Sequence, residues 1–260
     1  MDLAPLTAFF SQIPLAILVF VRVSTLFVAG PILGEAYIAP MAKVLLSLAV
    51  TLILTPLAAA HAPPLVFGGA WVLLVIKEAM VGFSLGFFLQ LYVQAVRFGG
   101  DLLNRHAGFS AAENFDPETQ ASTSPLGDLL FLTLLLLFFV SDVHHTFFAA
   151  LARSYDLVPL GGWTLTPGFH LAVAHGLNEM SAIAITLSFP VLAAIMAITA
   201  AEGVITRAVP QINVMHISFA VKTVVSLLVL YSGLPAVVAF FGSVLALMQA
   251  SGFAILRVMA

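Results

Sequence analysis

Residues 223–256 read TVVSLLVLYSGLPAVVAFFGSVLALMQASGFAIL, from Thr223 to Leu256, without one Asp, Glu, Lys or Arg. A helix needs about 20 apolar residues to cross the hydrocarbon core of a bilayer. Val44–Ile76 and Met180–Ala201 are equally free of charge. The whole chain is 62% hydrophobic and 8% charged, whereas about a quarter of the residues of a soluble domain are charged. A chain this apolar would expose too much hydrophobic surface as a water-soluble monomer. Lipid or sister subunits must cover it, and an isolated strand cannot satisfy its backbone in lipid. The fold class is therefore all-α: a polytopic membrane protein of kinked helical hairpins.

Six long apolar segments follow, at about Thr7–Ala29, Pro40–Ala60, Ala70–Phe98, Leu126–Tyr155, Leu171–Ala201 and Ile212–Arg257. Gly and Pro punctuate the joins, among them Gly30-Pro31, Pro63-Pro64, Gly99-Gly100, Gly161-Gly162 and Pro210. The last segment would be about 69 Å long as a helix at 1.5 Å per residue, so it is expected to fold back at Ser232-Gly-Leu-Pro235. Pro190 is expected to kink the fifth. The chain reads as one membrane domain of residues 1–260, with N-terminal hairpins over 1–98, a polar interruption at 99–125 and C-terminal kinked hairpins over 126–260. Lys43, Arg97, Arg105 and Arg207 lie at one set of joins, Arg153 and Arg257 at the other, which places both termini outside the cytoplasm by the positive-inside rule.

Composition excludes several functions. A net charge of -3 with nine Lys and Arg offers no patch dense enough for nucleic acid. The absence of cysteine removes disulfides, thiolate nucleophiles and Cys-ligated zinc. Met1-Asp2-Leu3 lacks the basic start of a secretory signal. No nucleophile elbow, phosphate-binding glycine loop or H-E-x-x-H motif occurs, so neither an enzyme nor a cofactor is indicated. Asp142-Val-His-His145 resembles a metal cluster, but adjacent histidines on a helix face different ways. It reads as a polar helix end, with no metal expected.

Ionisable residues stand inside or at the edges of the apolar segments: Arg22, Lys77, Glu78, Asp142, Glu179, Glu202 and Lys222. Each costs several kcal/mol or more at a bilayer centre unless paired or hydrated. Lys77 and Glu78 point about 100° apart on a helix, so each needs a partner elsewhere. Gly82-x-x-x-Gly86 permits close helix approach.

Three stretches read together carry a resemblance. They are RVSTLFVAGPILGEAYIAP at Arg22–Pro40, running on through MAKVLLSLAVTLILTP to Pro56; Asp156-Leu-Val-Pro-Leu-Gly-Gly162; and FPVLAAIMAITAAEGVITRAVPQINV at Phe189–Val214. The most specific element is Gly203-x-x-x-Arg207-x-x-Pro210-Gln211-x-Asn213. The chain resembles the FliR family of flagellar export-gate proteins and their injectisome counterparts. Two departures stand out. Glu202 replaces an apolar residue and is expected to pair with Arg207, and Ser218-Phe-Ala-Val-Lys222 replaces a Gly-Phe-Pro-Leu-Lys type run.

The resemblance implies a non-enzymatic core subunit of a type III secretion export gate in the bacterial inner membrane, within the flagellar basal body. Much of it would be raised above the bilayer core. Its first part would be FliP-like and its last hairpin FliQ-like. One such chain would assemble with five FliP-like and four FliQ-like subunits, beside FlhB-like and FlhA-like export proteins, to pass unfolded export substrates. Residues 106–125 would form a channel plug, with Phe109 and Phe115 sealing and Gly99, Gly100 and Gly108 as hinges. Without the family the same stretch reads as an ordinary solvated loop. Arg207, Pro210, Gln211 and Asn213 would contact neighbouring subunits at the helix break. The short C-terminus leans toward the flagellar system over an injectisome. The rival reading is a proton-coupled permease relaying through Glu78, Glu179 and Glu202. Such transporters usually carry internal repeats, and none is evident here.

Overall fold

A computed structural model describes residues 4–31, 34–35, 37–60, 71–109, 124–164, 166–208 and 214–260, with side chains from residue 12 and, in the last helix, from 217. Those residues form α1 (Ala4–Ala29), α2 (Pro40–Ala59), α3 (Trp71–His106), α4 (Pro125–Val140), α5 (Val143–Leu157), α6 (Pro167–Ala208) and α7 (Val214–Met259). There is no strand among them. Five helices are long and apolar enough to cross a membrane, and α4 with α5 could make a sixth, broken span.

Two compact units share the helices. The first holds residues 1–91, 141–177 and 247–260; the second holds 92–140 and 178–246. In the first, α1 buries Leu15, Leu18, Val19, Arg22, Val23, Leu26 and Phe27. This is one stripe at helical spacing. It meets α3 where Gly82 and Gly86 remove side chains. A Cβ at Gly86 would lie 2.8 Å from both Gly30 N and Leu26 O. Gly86→Ala gains about 1 kcal/mol in helix propensity but drives a methyl into backbone that cannot swing aside, an overpacking worth about 1–3 kcal/mol. The net expectation is a lower melting temperature of the solubilised protein; an unchanged or higher one would show that α1 and α3 can separate freely.

The second helix of this unit is built inside out. Ser47, Thr51, Leu54, Thr55 and Ala58 are buried, while Met41, Val44, Leu45, Leu48, Leu52, Ile53 and Leu57 are exposed. Small residues let helices approach closely where lipid or another subunit covers the outside. Each hydroxyl is satisfied within the helix: Ser47 donates to Lys43 O, Thr51 to Ser47 O and Thr55 to Thr51 O, all at 2.7 Å.

Two sequence expectations require correction. The segment 126–155 is not one helix: it breaks between α4 and α5, where Asp142 takes φ 54° and ψ 23°. Asp tolerates this left-handed conformation better than most residues. Conversely, the last segment does not fold back at Ser232–Pro235. α7 runs unbroken for 46 residues with Pro235 inside it. A proline removes one backbone bond, but in an apolar medium a full break would expose several more. Small Ser232 and Gly233 also leave room at the site. α6 is also continuous through Pro190, which is compatible with the kink expected there.

Within the second unit α6 and α7 run antiparallel. Glu202 near the end of α6 pairs with Lys222 near the start of α7, and Thr186–Val191 face Val229–Phe240 across a cleft of about 470 Å³. Pro190, Ser232 and Gly233 line that cleft, so it lies where both helices carry an interior proline.

Candidate functional site

The second unit fixes both ends of the polar interruption. α3 continues to His106, so Gly99 and Gly100 lie inside a helix and do not open a loop. They are contact positions. A Cβ at Gly99 would sit 3.0 Å from Ala184 O, and one at Gly100 would overlap Gly127 Cα. The helix ends at Ala107, whose N–H bonds Leu103 O at 2.8 Å. Gly108 then adopts φ 87°, the left-handed position that glycine fills at helix C-termini. Phe109 is half-buried. On the far side Ser124 caps α4: its hydroxyl accepts from Gly127 N at 3.2 Å, and Pro125 occupies the first turn, where a missing N–H costs nothing.

One turn of α7 secures this arrangement. Thr223 donates to Ala107 O at 2.8 Å, and Phe219 packs against Gly108. These two residues, four apart, share a helix face. Ser218 and Lys222 form the neighbouring face, and Lys222 bonds Glu202 at 3.0 Å with both side chains mostly buried. Glu202 therefore pairs with Lys222 on the next helix and not with Arg207, which is exposed in the last turn of α6. A partner one turn along the same helix was the nearer candidate in sequence, but the antiparallel packing brings Lys222 closer. Glu179 accepts from Tyr92 O–H at 2.6 Å, between α6 and α3. Phe115, Pro210, Gln211 and Asn213 lie outside the described residues.

The first unit holds the buried charges. Arg22 and Glu78 are fully buried, with Arg22 Nε 2.6 Å from Glu78 Oε2. Nη1 donates to Ser154 O at 3.0 Å and to Ser154 Oγ at 3.2 Å, and Nη2 to Val158 O at 3.0 Å. The guanidinium lies over the Tyr155 ring at 4.5 Å. Glu78 Oε1 accepts from Gly161 N at 2.8 Å, and Lys77 Nζ donates to Gly161 O at 3.0 Å. The adjacent Lys77 and Glu78 thus hold one residue, Gly161, through the peptide groups on either side of it. Gly161 has φ 73°, which presents both its N–H and its C=O to α3. The Asp156–Gly162 motif consequently folds onto the residue that opens the Arg22–Pro40 motif.

His144 and His145 do not face different ways: their ring centroids are 4.2 Å apart. The donor atoms of Asp142, His144 and His145 lie within 4.8 Å of one another. The break at Asp142 removes the preceding helical turn, so the two rings are free to lean together. Three donors from four consecutive residues fall short of the four that a closed structural zinc site requires.

The sequence did not single out Phe219, Thr223, Ser154 or Gly127. A hydroxyl residue and an aromatic four apart beside Lys222 was the available signal for the first two; nothing local marked the others.

The described residues therefore define an α-helical polytopic membrane protein with a buried ion-pair network and a polar segment pinned at both ends. The family described as Bacterial export proteins, family 1, matches residues 13–248, and the chain belongs to it. The chain is 30% identical over 222 residues to the flagellar biosynthetic protein FliR of Bacillus subtilis, covering 84% of this chain and 85% of that one. FliR of Escherichia coli is 26% identical over 220 residues, 84% of each chain. The secretion system apparatus protein SsaT of Salmonella typhimurium is 28% identical over 167 residues, 64% of each. The FliR resemblance read from the sequence holds.

Proposed function

We propose that this chain is a non-enzymatic core subunit of the flagellar type III secretion export gate in the bacterial inner membrane. In this reading it joins FliP-like and FliQ-like subunits, beside FlhB-like and FlhA-like proteins, in a channel for unfolded export substrates. Residues 1–98 supply FliP-like hairpins, and the antiparallel α6–α7 pair supplies the FliQ-like one. The observation that carries the reading is the mismatch between α7 and any simple span. At 46 residues it is about 69 Å long, roughly twice a hydrocarbon core, yet only 11% of its most apolar window is buried within the chain. Such a helix needs neighbouring protein along much of its length. The expected result is that the chain is unstable when expressed alone and co-purifies with two other small membrane proteins. A stable, self-sufficient monomer that transports a solute would favour the permease. The flagellar system is preferred over an injectisome because the FliR relatives match 84% of the chain against 64% for SsaT.

The stretch between α3 and α4 is the plug in this reading, with Phe109 and Phe115 sealing, and Arg207, Pro210, Gln211 and Asn213 at subunit contacts. Replacing residues 110–123 with a Gly/Ser linker of equal length, leaving Gly108 and Ser124 intact, is expected to raise ion leak through the assembled gate. Unchanged conductance would count against a seal at this segment. Thr223→Val removes the bond to Ala107 O, worth about 1 kcal/mol, and is expected to give a smaller increase in leak.

A further inference from the structure

Among the described residues, Asp142, His144 and His145 form a group of three side chains able to hold a metal ion, and the export reading gives them no part. Adjacent histidines diverge on a regular helix, but here the two rings stand 4.2 Å apart between centroids. Asp142 precedes α5 in the left-handed conformation, φ 54° and ψ 23°, so it stands outside the regular turn that His144 and His145 begin. The backbone fixes the spacing, since His145 N–H donates to Asp142 O at 3.0 Å. The three donor atoms lie within 4.8 Å of one another. Asp142 and His145 are exposed and His144 is half-buried, so an ion can reach them from outside the chain. All three belong to the first compact unit.

We infer that Asp142, His144 and His145 bind one divalent transition-metal ion of the zinc type, with water completing its coordination. Two imidazoles and one carboxylate suit zinc, cobalt, nickel or copper. Magnesium and calcium take oxygen ligands, and two of the three donors here are nitrogen. Zinc–ligand bonds of about 2.0–2.2 Å place neighbouring donors of a tetrahedral ion about 3.4 Å apart. Closing from a spread of 4.8 Å asks for ångström-scale movements, which rotation about the side-chain bonds of exposed Asp142 and His145 supplies. Three protein ligands leave a fourth position for water, the pattern of open zinc sites and not of closed structural ones. The carboxylate offsets half of the ion's charge, which two neutral imidazoles would leave uncompensated.

The test uses the solubilised protein in the assembly with which it purifies, without a polyhistidine tag and stripped by a chelator. Zinc is titrated by calorimetry, and cobalt takes its place as a spectroscopic probe. The wild-type protein is expected to bind one more zinc ion per copy of this chain than His145→Ala does. Its cobalt form should show the visible absorption of an imidazole-ligated ion, and zinc should raise the melting temperature of the wild-type protein only. His145→Ala and Asp142→Asn should each weaken zinc binding about tenfold or more, at least the cost of losing a partner behind a metal ligand. Asn tolerates a left-handed backbone as Asp does, so Asp142→Asn removes the charge and leaves the helix break in place. His170→Ala, which removes an exposed histidine of α6, should change nothing. A wild-type protein that takes up no zinc overturns the inference. So does equal zinc affinity in the folded Asp142→Asn and His145→Ala variants, or zinc uptake with no imidazole signature in the cobalt form, which marks adventitious binding only. None of these measurements depends on export, so failure of the gate reading leaves the test intact.

Discussion

Glu78→Leu is expected to lower the stability of the protein by about 3–5 kcal/mol, the cost of breaking a buried ion pair from one side. The consequence should be visible as loss of accumulated protein and of the cooperative melt in detergent. The reason lies in what remains. Arg22 is fully buried, and a guanidinium cannot shed its charge in a protein. Its bonds to Ser154 and Val158 go only to neutral groups, and the released Gly161 N–H loses its acceptor. The reverse change is expected to be milder. Arg22→Met leaves a carboxyl that can take up a proton and become neutral, and it still accepts from Gly161. The combined Arg22→Met, Glu78→Leu variant should recover most of the loss, because an apolar pair of similar volume avoids desolvating two ions. If Glu78→Leu melts like the wild-type protein, the pair is not what holds α1, α3 and the 158–161 turn together. If the double variant is as unstable as Glu78→Leu, the shape of the network matters more than its charge.

The apolar helices could be read from the sequence because a charge-free run of twenty or more residues leaves the backbone few alternatives in lipid. Their continuity could not. Pro235 and Asp142 carry opposite local signals to what occurs. The proline stays inside α7, while Asp142, with no glycine or proline beside it, breaks a helix by turning left-handed. The need for partners at Lys77, Glu78 and Glu202 was visible from the cost of burying charge, but their identities were not. Arg22 and Glu78 are 56 residues apart, and no local periodicity encodes which helices meet. Glu202 shows the same limit in the other direction: Arg207 stood five positions away, and Lys222 on the next helix took the bond. The polar stretch 99–125 was legible as an interruption by composition alone, yet its first eight residues are helix. Gly99 and Gly100 looked like loop signals because glycine serves turns and close helix contacts equally well.

That double meaning makes the crossing of α3 and α4 a sharp place to test. Gly100→Ala is expected to cost more than Gly127→Ala, although both add the same methyl to facing helices and both gain about 1 kcal/mol of helix propensity. A Cβ at Gly100 meets backbone: it would overlap Gly127 Cα and lie 2.9 Å from Gly127 N. Only a shift of one helix can relieve that contact, which places the change toward the upper end of the roughly 1–3 kcal/mol typical of overpacking. A Cβ at Gly127 meets Ser124 Oγ at 2.6 Å and Asp101 Oδ1 at 2.9 Å, side-chain ends that can rotate away, although Ser124 then gives up its cap on α4 at about 1 kcal/mol. Melting temperatures of the two variants measure the difference directly, and equal values would mean that α3 and α4 slide past one another at little cost. The same pair bears on the proposed gate. Displacing α4 moves the residue where the 110–123 segment rejoins the fold, while its other end stays tied to Thr223. Leak through the assembled gate is therefore expected to rise with Gly100→Ala and to stay near the wild-type level with Gly127→Ala. A tight gate in both variants, despite a lowered melting temperature in the first, would separate the packing of this crossing from the seal.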